Sequence, residues 1–299
     1  MIEERRDPQV RPVRRVGVMM RPGSHHAYEV IRRFAEASER HGLELRMDPF
    51  DDLGPIEGVK PLEGAEDKVD LLLTLGGDGT LLRGARRVAG RGIPVLGVNL
   101  GRLGFLTSVP AEGLDEAILK VARGEYFLDV RSTLVARLVR GGQVLGEPIR
   151  ALNDFVLHNA GVARVVHLDL HVDTGQEKEE IGSFSGDGVI LSSPTGSTAY
   201  SLSTGGPIVA PSVDCLLVTP VSPHTLSVRP LVLPGGATVS IRAMEASDQV
   251  VLTADGQEGV RLATEDEVRV ACGGPRVFLV RFEGHTFFST LRRKLNWAI

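Results

Sequence analysis

The 299-residue chain has little cysteine and little lysine, and each shortage excludes a class of protein. Its two cysteines, Cys215 and Cys272, form no disulfide framework, so we expect reduced thiols in a cytosolic protein. Only five of the 34 basic residues are lysines, and none follows a glycine-rich loop. The G-x-x-x-x-G-K-[ST] phosphate loop is therefore absent. H-E-x-x-H, G-x-S-x-G and G-x-G-x-x-G are absent as well, which excludes most common nucleotide-dependent enzymes.

The chain also lacks a basic surplus and a long apolar run. Its formal net charge is −4, which argues against binding to nucleic acid or to an anionic membrane. No apolar run approaches the roughly 18 residues of a membrane span. The N-terminus is charged from its third residue and has no apolar centre typical of a secretory signal. We therefore expect a soluble, cytoplasmic protein, with two domains at roughly 150 residues each.

Glycine, in contrast, is abundant. The chain has 35 glycines in 299 residues, about 12% against the usual ~7%. They cluster at residues 76–79, 97–104, 182–188 and 205–206. Glycine clusters between apolar strands indicate tight turns or a close approach of the backbone to a ligand.

The first part of the chain alternates strand and helix patterns, which predicts a parallel α/β sheet covered on both faces. Ser24 is expected to cap a helix that ends near His41 and Gly42. The strands are predicted at residues 13–20, 43–47, 69–75 and 94–100, further helices at 81–88 and 111–122, and a polar loop at 48–67.

Beyond residue 126 short strand patterns recur between glycine, proline and Asp-Gly turns, which predicts an antiparallel β domain. These runs include residues 165–172, 189–193, 238–243, 250–254 and 276–282. A helical pattern returns at 286–297, and we expect it to pack back on the first domain. The predicted domains are residues 1–126 (α/β), 127–282 (β) and 283–299 (helical tail), with the ligand between the first two.

The sharpest local motif is the Gly-Gly-Asp-Gly turn at residues 76–79, between an apolar strand and a helix. Such a turn at a helix N-terminus is an anion site. Asp78 would repel phosphates there unless it binds magnesium or accepts a proton from an attacking hydroxyl. The alternative is an Asp-Gly turn that only caps the helix. The motif resembles the signature shared by NAD kinases, 6-phosphofructokinases, and diacylglycerol and sphingosine kinases.

Three later segments of the sequence distinguish between these families. An Asn153-Asp154 pair is followed by an Asp187-Gly188 turn and then by a run of hydroxyl residues around one tyrosine at 193–204. Taken singly, these segments are typical of a strand edge, a hairpin turn and a serine-rich loop. Hydroxyls beside an aromatic face also suit a ribose, an amide and a stacked base.

Together these segments resemble the NAD kinase family over residues 13–298, most specifically at 187–211. The resemblance implies a Rossmann-like N-terminal α/β domain, a β-sandwich-like C-terminal domain and a cytosolic homodimer or homotetramer. It also implies magnesium-dependent phosphorylation of the adenosine 2′-hydroxyl of NAD, with ATP or inorganic polyphosphate as the donor.

The resemblance further assigns roles to individual residues. Asp78 is implied as the catalytic base, and Asp187 as the reader of the nicotinamide amide. Asn153-Asp154 stands where the family usually has Asn-Glu, so the carboxylate is one methylene shorter, with its reach shifted toward a ribose hydroxyl through water. The other implied nucleotide-binding residues are Gly77, Gly79, Arg83, Arg164, Ser185, Thr195, Thr198, Ala199, Tyr200, Ser201, Leu202, Ser203 and Gln257.

Two other classes of function stay open at this point. A lipid kinase would need a basic membrane patch, which an acidic chain disfavours. A non-catalytic NAD(H) or NADP sensor would gain nothing from a carboxylate beside phosphates, which Asp78 disfavours. His25, His26 and His158 have no second ligand at metal-binding spacing, so we expect no protein-bound structural metal and only Mg²⁺ or another divalent cation with the phosphate donor.

Overall fold

The computed structural model describes residues 10–21, 23–47, 56–62, 68–101, 104–161, 165–244 and 250–297. The chain divides into two compact units, residues 1–130 with 276–299, and residues 131–275. Each unit has its own cluster of buried apolar side chains. No helix in the described ranges is long and apolar enough to cross a membrane.

The first unit contains a largely parallel sheet, as the alternating pattern predicts. Its strands, numbered along the whole chain, are β1 (Arg15–Met20), β2 (Glu44–Met47), β3 (Val59–Pro61), β4 (Leu71–Leu75), β5 (Val95–Asn99), β6 (Val109–Pro110), β7 (Phe127–Arg131) and β20 (Val277–Arg281). They lie in the order β3-β2-β1-β4-β5-β20-β7, and β6 pairs with β5. Every residue of β4 and β5 is buried, because parallel strands are covered on both faces.

The described residues of this unit include the helices α1 (His25–Arg40), α2 (Asp78–Val88), α3 (Leu114–Arg123) and α5 (Phe287–Leu295). The predicted cap of α1 is confirmed, because the Ala27 N–H donates to Ser24 Oγ at 3.2 Å. Helix α3 ends at Gly124, whose φ of 75° is accessible to glycine at little cost. Helix α5 begins with a reciprocal capping box between Thr286 and Ser289.

The strand order creates a switch point in this sheet. The chain runs outward from β1 through β2 to β3, and then resumes on the other side of β1 with β4 and β5. The carboxyl ends of β1 and β4 therefore lie side by side, and the loops after them diverge. Ligands of open α/β sheets bind outside the strand ends at such a point. The Gly-Gly-Asp-Gly turn follows β4 and is therefore at this position.

Two sequence-based assignments in this unit are corrected. The sequence predicts a β domain over 127–282, but β7 and β20 at its two ends belong to the sheet of the first unit, where β20 pairs parallel with β5 through Leu279 and Val95. A five-residue apolar strand has the same local pattern in either sheet, so only this long-range pairing decides its place. Within the expected loop at 48–67, residues 59–61 form β3 beside β2. Residues 48–55 and 63–67 of that loop lie outside the described residues.

The second unit is a sandwich of two antiparallel sheets, which confirms the predicted β-sandwich-like domain. Its strands are β8 (Leu134–Arg140), β9 (Gln143–Ala151), β10 (Asp154–Asn159), β11 (Val166–Asp173), β12 (Lys178–Gly186), β13 (Gly188–Ser192), β14 (Cys215–Val221), β15 (Leu231–Pro234), β16 (Thr238–Ala243), β17 (Val250–Ala254), β18 (Glu258–Arg261) and β19 (Glu267–Cys272). The sheet orders are β15-β14-β13-β10-β17-β18 and β12-β11-β16-β19-β8-β9. Apolar side chains of both sheets share one buried cluster.

Strand β10 shows how the sandwich presents a functional face. Phe155 and Leu157 belong to the buried cluster between the sheets. Asp154, Val156 and His158 alternate with them and line a cavity on the opposite face of the same sheet. The β-strand period therefore separates the residues that hold the sandwich together from those that can meet a ligand.

Candidate functional site

The carboxylate of Asp78 is held by backbone N–H groups of a loop in the first unit. Phe105 N donates to Asp78 Oδ2 at 2.8 Å, and Leu106 N and Thr107 N donate to Oδ1 at 3.2 and 3.1 Å. A Cβ atom added at Gly104 would overlap the same carboxylate, so this approach requires glycine. The three donors fix the position of the Asp78 carboxylate. Besides facing the switch point, Asp78 therefore fixes the loop that follows β5.

The surroundings of Asp78 suit an anion. Helix α2 has Gly77 as its N-cap, which has no side chain to occupy the helix N-terminus. The helix dipole adds partial positive charge at this end. The predicted residue Arg83 donates from Nη2 to the Met20 carbonyl at 2.8 Å, which places its guanidinium at the carboxyl end of β1. A positive side chain and a helix N-terminus thus meet at the switch point.

The second unit has a cavity of about 490 Å³ on the outer face of the β10 sheet. Val156 and Val221 form an apolar part of its wall, and they pack with Ile190 beneath. Polar lining comes from the start of β10, the β12–β13 turn and the end of β17. No lysine or arginine is among the lining residues that the structure describes. The cavity therefore favours neutral or positively charged groups that donate hydrogen bonds over bare phosphates.

Unsatisfied acceptors face this cavity. The buried Oδ1 of Asn153 has no hydrogen-bond partner among the described residues. The Asn159 carbonyl lies 3.2 Å from His158 Nδ1. Since a carbonyl only accepts, the neutral imidazole carries its proton on Nδ1 and keeps Nε2 as an acceptor. A ligand with hydroxyl or amide donors would satisfy Asn153 Oδ1, because an unpaired buried polar group is costly.

Five of the predicted site residues line the cavity together: Asn153, Asp154, Asp187, Ala199 and Tyr200. They come from three separate segments that the fold brings to one place. Asp187 lies in the turn between β12 and β13, and its backbone N–H donates to the Val221 carbonyl at 2.9 Å. Tyr200 begins the short helix α4 (Tyr200–Ser203) and leaves nearly half of its side chain exposed.

Most predicted hydroxyls bond within the protein and do not line this cavity. Ser201 Oγ lies 2.9 Å from Thr219 Oγ1, and Thr198 Oγ1 donates to the Thr195 carbonyl at 3.2 Å. Arg131 Nη1 donates to Thr195 Oγ1 at 3.3 Å. These bonds shape the turn that presents Ala199 and Tyr200.

The remaining predicted residues of the second unit have other positions. Ser185 Oγ lies 2.8 Å from His167 Nδ1, and Leu202, Ser203 and Gln257 do not line the cavity. Arg164 lies outside the described residues. The ligand contacts proposed for these five residues stay predictions.

Seven lining residues are not among those predicted from the sequence: Val156, His158, Asn159, Val221, Thr253, Asp255 and Gly256. The sequence offers no second metal ligand near His158, but the two-residue period of β10 places His158 on the same face as Asp154. Asp255 was not selected at all. The signal available for it was the Asp-Gly dipeptide directly after an apolar strand, which also occurs in ordinary turns.

Asp154 is the most perturbed carboxyl group at this site. Burial, and after it the charge of Asp255, raise the pKa of Asp154 from 3.8 to about 7. The two residues belong to adjacent strand ends, because Phe155 pairs with Ala254. Near neutral pH, Asp154 therefore exchanges between a carboxylic acid and a carboxylate.

We expect the raised pKa of Asp154 to make the ligand-free protein less stable as pH rises. The folded state binds this proton more tightly than the unfolded state, so the stabilisation is complete below pH 3.8 and is lost as pH rises to about 7. At 1.36 kcal/mol per pH unit, the unfolding free energy of the wild type should fall by about 3 kcal/mol between pH 5 and pH 8. Asp154→Asn has no carboxyl group at this position and should not show this loss.

Urea unfolding of both proteins at the two pH values checks this expectation. Asp187→Asn is the matched control, because Asp187 lines the same cavity but is exposed. Parallel pH dependence in the wild type and in Asp154→Asn would contradict the raised pKa.

An α/β unit with a glycine-rich anion loop, joined to a β sandwich with an acceptor-lined cavity, defines the class of two-domain nucleotide-binding proteins. Comparisons with protein families identify the particular group. The ATP-NAD kinase N-terminal domain matches residues 56–126, and the ATP-NAD kinase C-terminal domain matches residues 152–282. The chain belongs to the NAD kinase family.

Relatives along the chain agree with this assignment. The chain is 48% identical to the NAD kinase of Gemmatimonas aurantiaca over 230 residues, which covers 77% of this chain and 78% of that protein. It is 37% identical to the NAD kinase of Solibacter usitatus over 288 residues, which covers 96% of this chain and 98% of that protein.

Solved structures show the same fold. The crystal structure of yeast NADH kinase complexed with NADH has a TM-score of 0.84 and 27% identity, with coverage of 96% of this chain and 88% of that one. The crystal structure of an NAD kinase from Archaeoglobus fulgidus in complex with ATP has a TM-score of 0.70 and 23% identity, with coverage of 94% and 98%.

Proposed function

We propose that the chain is an NAD kinase, which transfers the terminal phosphoryl group of ATP to the 2′-hydroxyl of the adenosine ribose of NAD and so forms NADP. The observation that carries the proposal is the cavity of the second unit, with the unpaired Oδ1 of Asn153 beside Asp154 and Asp187. NAD brings the complementary groups, namely ribose hydroxyls, a carboxamide N–H₂ and a positively charged nicotinamide ring.

In this proposal the two units bind different parts of the substrates, according to the charge of each site. The second unit binds the nucleoside parts of NAD, because its cavity is acidic and partly apolar. The first unit binds phosphates, because Gly77, Gly79 and Arg83 surround a helix N-terminus. Asp78 accepts the proton of the attacking 2′-hydroxyl after one of its oxygens leaves the loop N–H groups. Positioning and electrostatic stabilisation dominate such a phosphoryl transfer.

We propose that a divalent cation enters with the phosphate donor. Among the described residues, no group of three or more His, Cys, Asp and Glu side chains is arranged to hold a metal. Mg²⁺ commonly binds through substrate phosphates and one or two carboxylates, and it neutralises charge on the transferred phosphoryl group. Use of inorganic polyphosphate, a homodimer or homotetramer and a cytoplasmic location are further proposals from the sequence.

A coupled assay tests the function. Purified protein is incubated with NAD, ATP and Mg²⁺, and the product is detected with an NADP-specific dehydrogenase. We expect NADP formation that depends on all three components. A sensor would bind NAD without making product, and a lipid kinase would consume ATP only with a lipid acceptor, so either result would contradict the proposal.

Asp187→Ala should raise the KM for NAD by roughly tenfold and leave the KM for ATP nearly unchanged, because it removes an acceptor for the carboxamide. The matched control is Asp173→Ala. Asp173 is also an exposed aspartate of the second unit, at the end of β11; it accepts from Gly175 N at 2.8 Å and does not line the cavity. Equal changes in both KM values would mean that Asp187 has only a structural role.

A further inference from the structure

The carboxylate of Asp255 holds the backbone that precedes β10. Its Oδ1 accepts from Asn153 N at 2.7 Å, from Leu152 N at 3.1 Å and from Asp154 N at 3.4 Å. The Asp255 N–H donates in return to the Asp154 carbonyl at 3.0 Å. One residue therefore satisfies three consecutive N–H groups and one carbonyl beside the cavity.

The opposite side of this segment is held by Ser193. Its N–H donates to the Asn153 carbonyl at 2.9 Å, and its Oγ donates to the Leu152 carbonyl at 2.6 Å. A Cβ added at Gly196 would overlap the Asn153 carbonyl, so the packing here is close. With its backbone fully paired, the segment leaves the side chains of Asn153 and Asp154 for the cavity.

The backbone of Asp255 is itself unusual. Its φ of 50° lies in the left-handed region, which Asp and Asn adopt more readily than other non-glycine residues. The residue is 8% exposed, and its carboxylate oxygens accept from the N–H groups of residues 152–154. The Asp255 carboxylate is buried, its backbone adopts the unfavourable left-handed conformation, and its hydrogen bonds go to the backbone of neighbouring residues. This combination indicates a positioning role.

We propose that Asp255 is a positioning residue of the NAD pocket: its carboxylate holds residues 152–154 so that the acceptors of Asn153 and Asp154 face the hydroxyl donors of a bound ribose. The inference rests on the proposed function, since it names how the same site is organised. Asp255 does not touch the ligand in this account, because its own carboxylate is occupied by the backbone.

The charge of Asp255 gives this role a signature that a purely structural role lacks. The titratable groups that line the cavity around Asp154 are His158 on the same strand, Asp187 on the β12–β13 turn, Tyr200 on α4 and Asp255. Hydroxyl donors bind a carboxylate better than a carboxylic acid. The KM for NAD should therefore fall as pH rises through the pKa of Asp154, about 7.

Asp255→Asn tests the proposal, because asparagine keeps the size, one acceptor oxygen and the left-handed backbone but removes the charge. We expect the KM for NAD to rise roughly tenfold with little change in kcat. Because the repulsion from Asp255 is gone, the fall of KM should also move to lower pH. Ser193→Ala, which loosens the same segment but keeps the charge, should raise the KM without moving the pH dependence.

Asp266→Asn is the matched control. Asp266 is also a buried aspartate of the second unit that accepts a backbone N–H, from Ala263 at 2.8 Å, and it lies outside the cavity lining. This variant should lose thermal stability and keep the wild-type KM and pH profile. An Asp255→Asn protein with the wild-type pH profile, or with equal rises in the KM for NAD and for ATP, would overturn the proposal.

A ligand-free measurement separates this inference from the proposed function. The carboxyl carbon of Asp154, followed by NMR in selectively labelled full-length protein, should titrate at lower pH in Asp255→Asn than in the wild type. If the wild type forms no NADP but this shift is seen, the proposed function fails and the placement of Asp255 stands. If NADP forms and the titration is unchanged, the positioning role is wrong. Should Asp255→Asn fail to fold, an unchanged KM in Ser193→Ala would overturn the proposal.

Discussion

Asp78→Asn is expected to lower turnover by roughly 10²–10⁴-fold while the KM for NAD stays within about twofold of the wild type. The carboxylate lies at the N-terminus of α2, directly after β4. Asparagine keeps an acceptor oxygen for the loop N–H groups but cannot take a proton from the 2′-hydroxyl. Steady-state kinetics with varied NAD at saturating ATP measure both quantities.

Asp70→Asn is the matched control for this experiment. Asp70 precedes the same strand, and its carboxylate also accepts a backbone N–H, from Arg15 at 2.9 Å. Loss of this group should affect stability and leave turnover unchanged, because it lies at the amino end of β4. If Asp78→Asn keeps turnover within about threefold of the wild type, the loss falls below that of a general base, and Asp78 only fixes the loop of Phe105 and Thr107.

Removal of divalent cations is expected to abolish activity completely. EDTA should stop NADP formation, and excess Mg²⁺ or Mn²⁺ should restore it, because the phosphates of the donor need charge neutralisation in the transition state. No metal should remain with the protein after gel filtration, since the described residues offer no cluster of metal ligands. A stoichiometric metal in the purified protein, found by elemental analysis, would contradict this account.

The sequence predicts much of the fold because local and global signals agree there. Ser24 precedes an amphipathic helical pattern, and the apolar run before Gly76 lies between a polar loop and a glycine turn, so their flanking residues agree with the elements that form. The place of β20 could not be predicted, because its partner Val95 lies far away in the sequence. The same limit applies to β3, whose three residues carry no period of their own.

The candidate site divides in the same way. Asn153, Asp187 and Tyr200 were found from their motifs, and the structure brings them to one cavity. The hydroxyls of Thr198 and Ser201 bond within the protein, which the sequence does not predict, and their contacts with a ligand stay predictions. Asp255 was missed because its Asp-Gly dipeptide also occurs in ordinary turns and does not show that the carboxylate accepts backbone N–H groups.

The proposed function requires NAD to bind in the cavity of the second unit, and a crystal structure of the protein with NAD would show whether it does. We expect density for the dinucleotide in the cavity, with the carboxamide nitrogen about 3 Å from the Asp187 carboxylate and a ribose hydroxyl within hydrogen-bonding distance of Asn153 Oδ1. Ordered NAD that leaves Asn153, Asp154 and Asp187 without contact would contradict it.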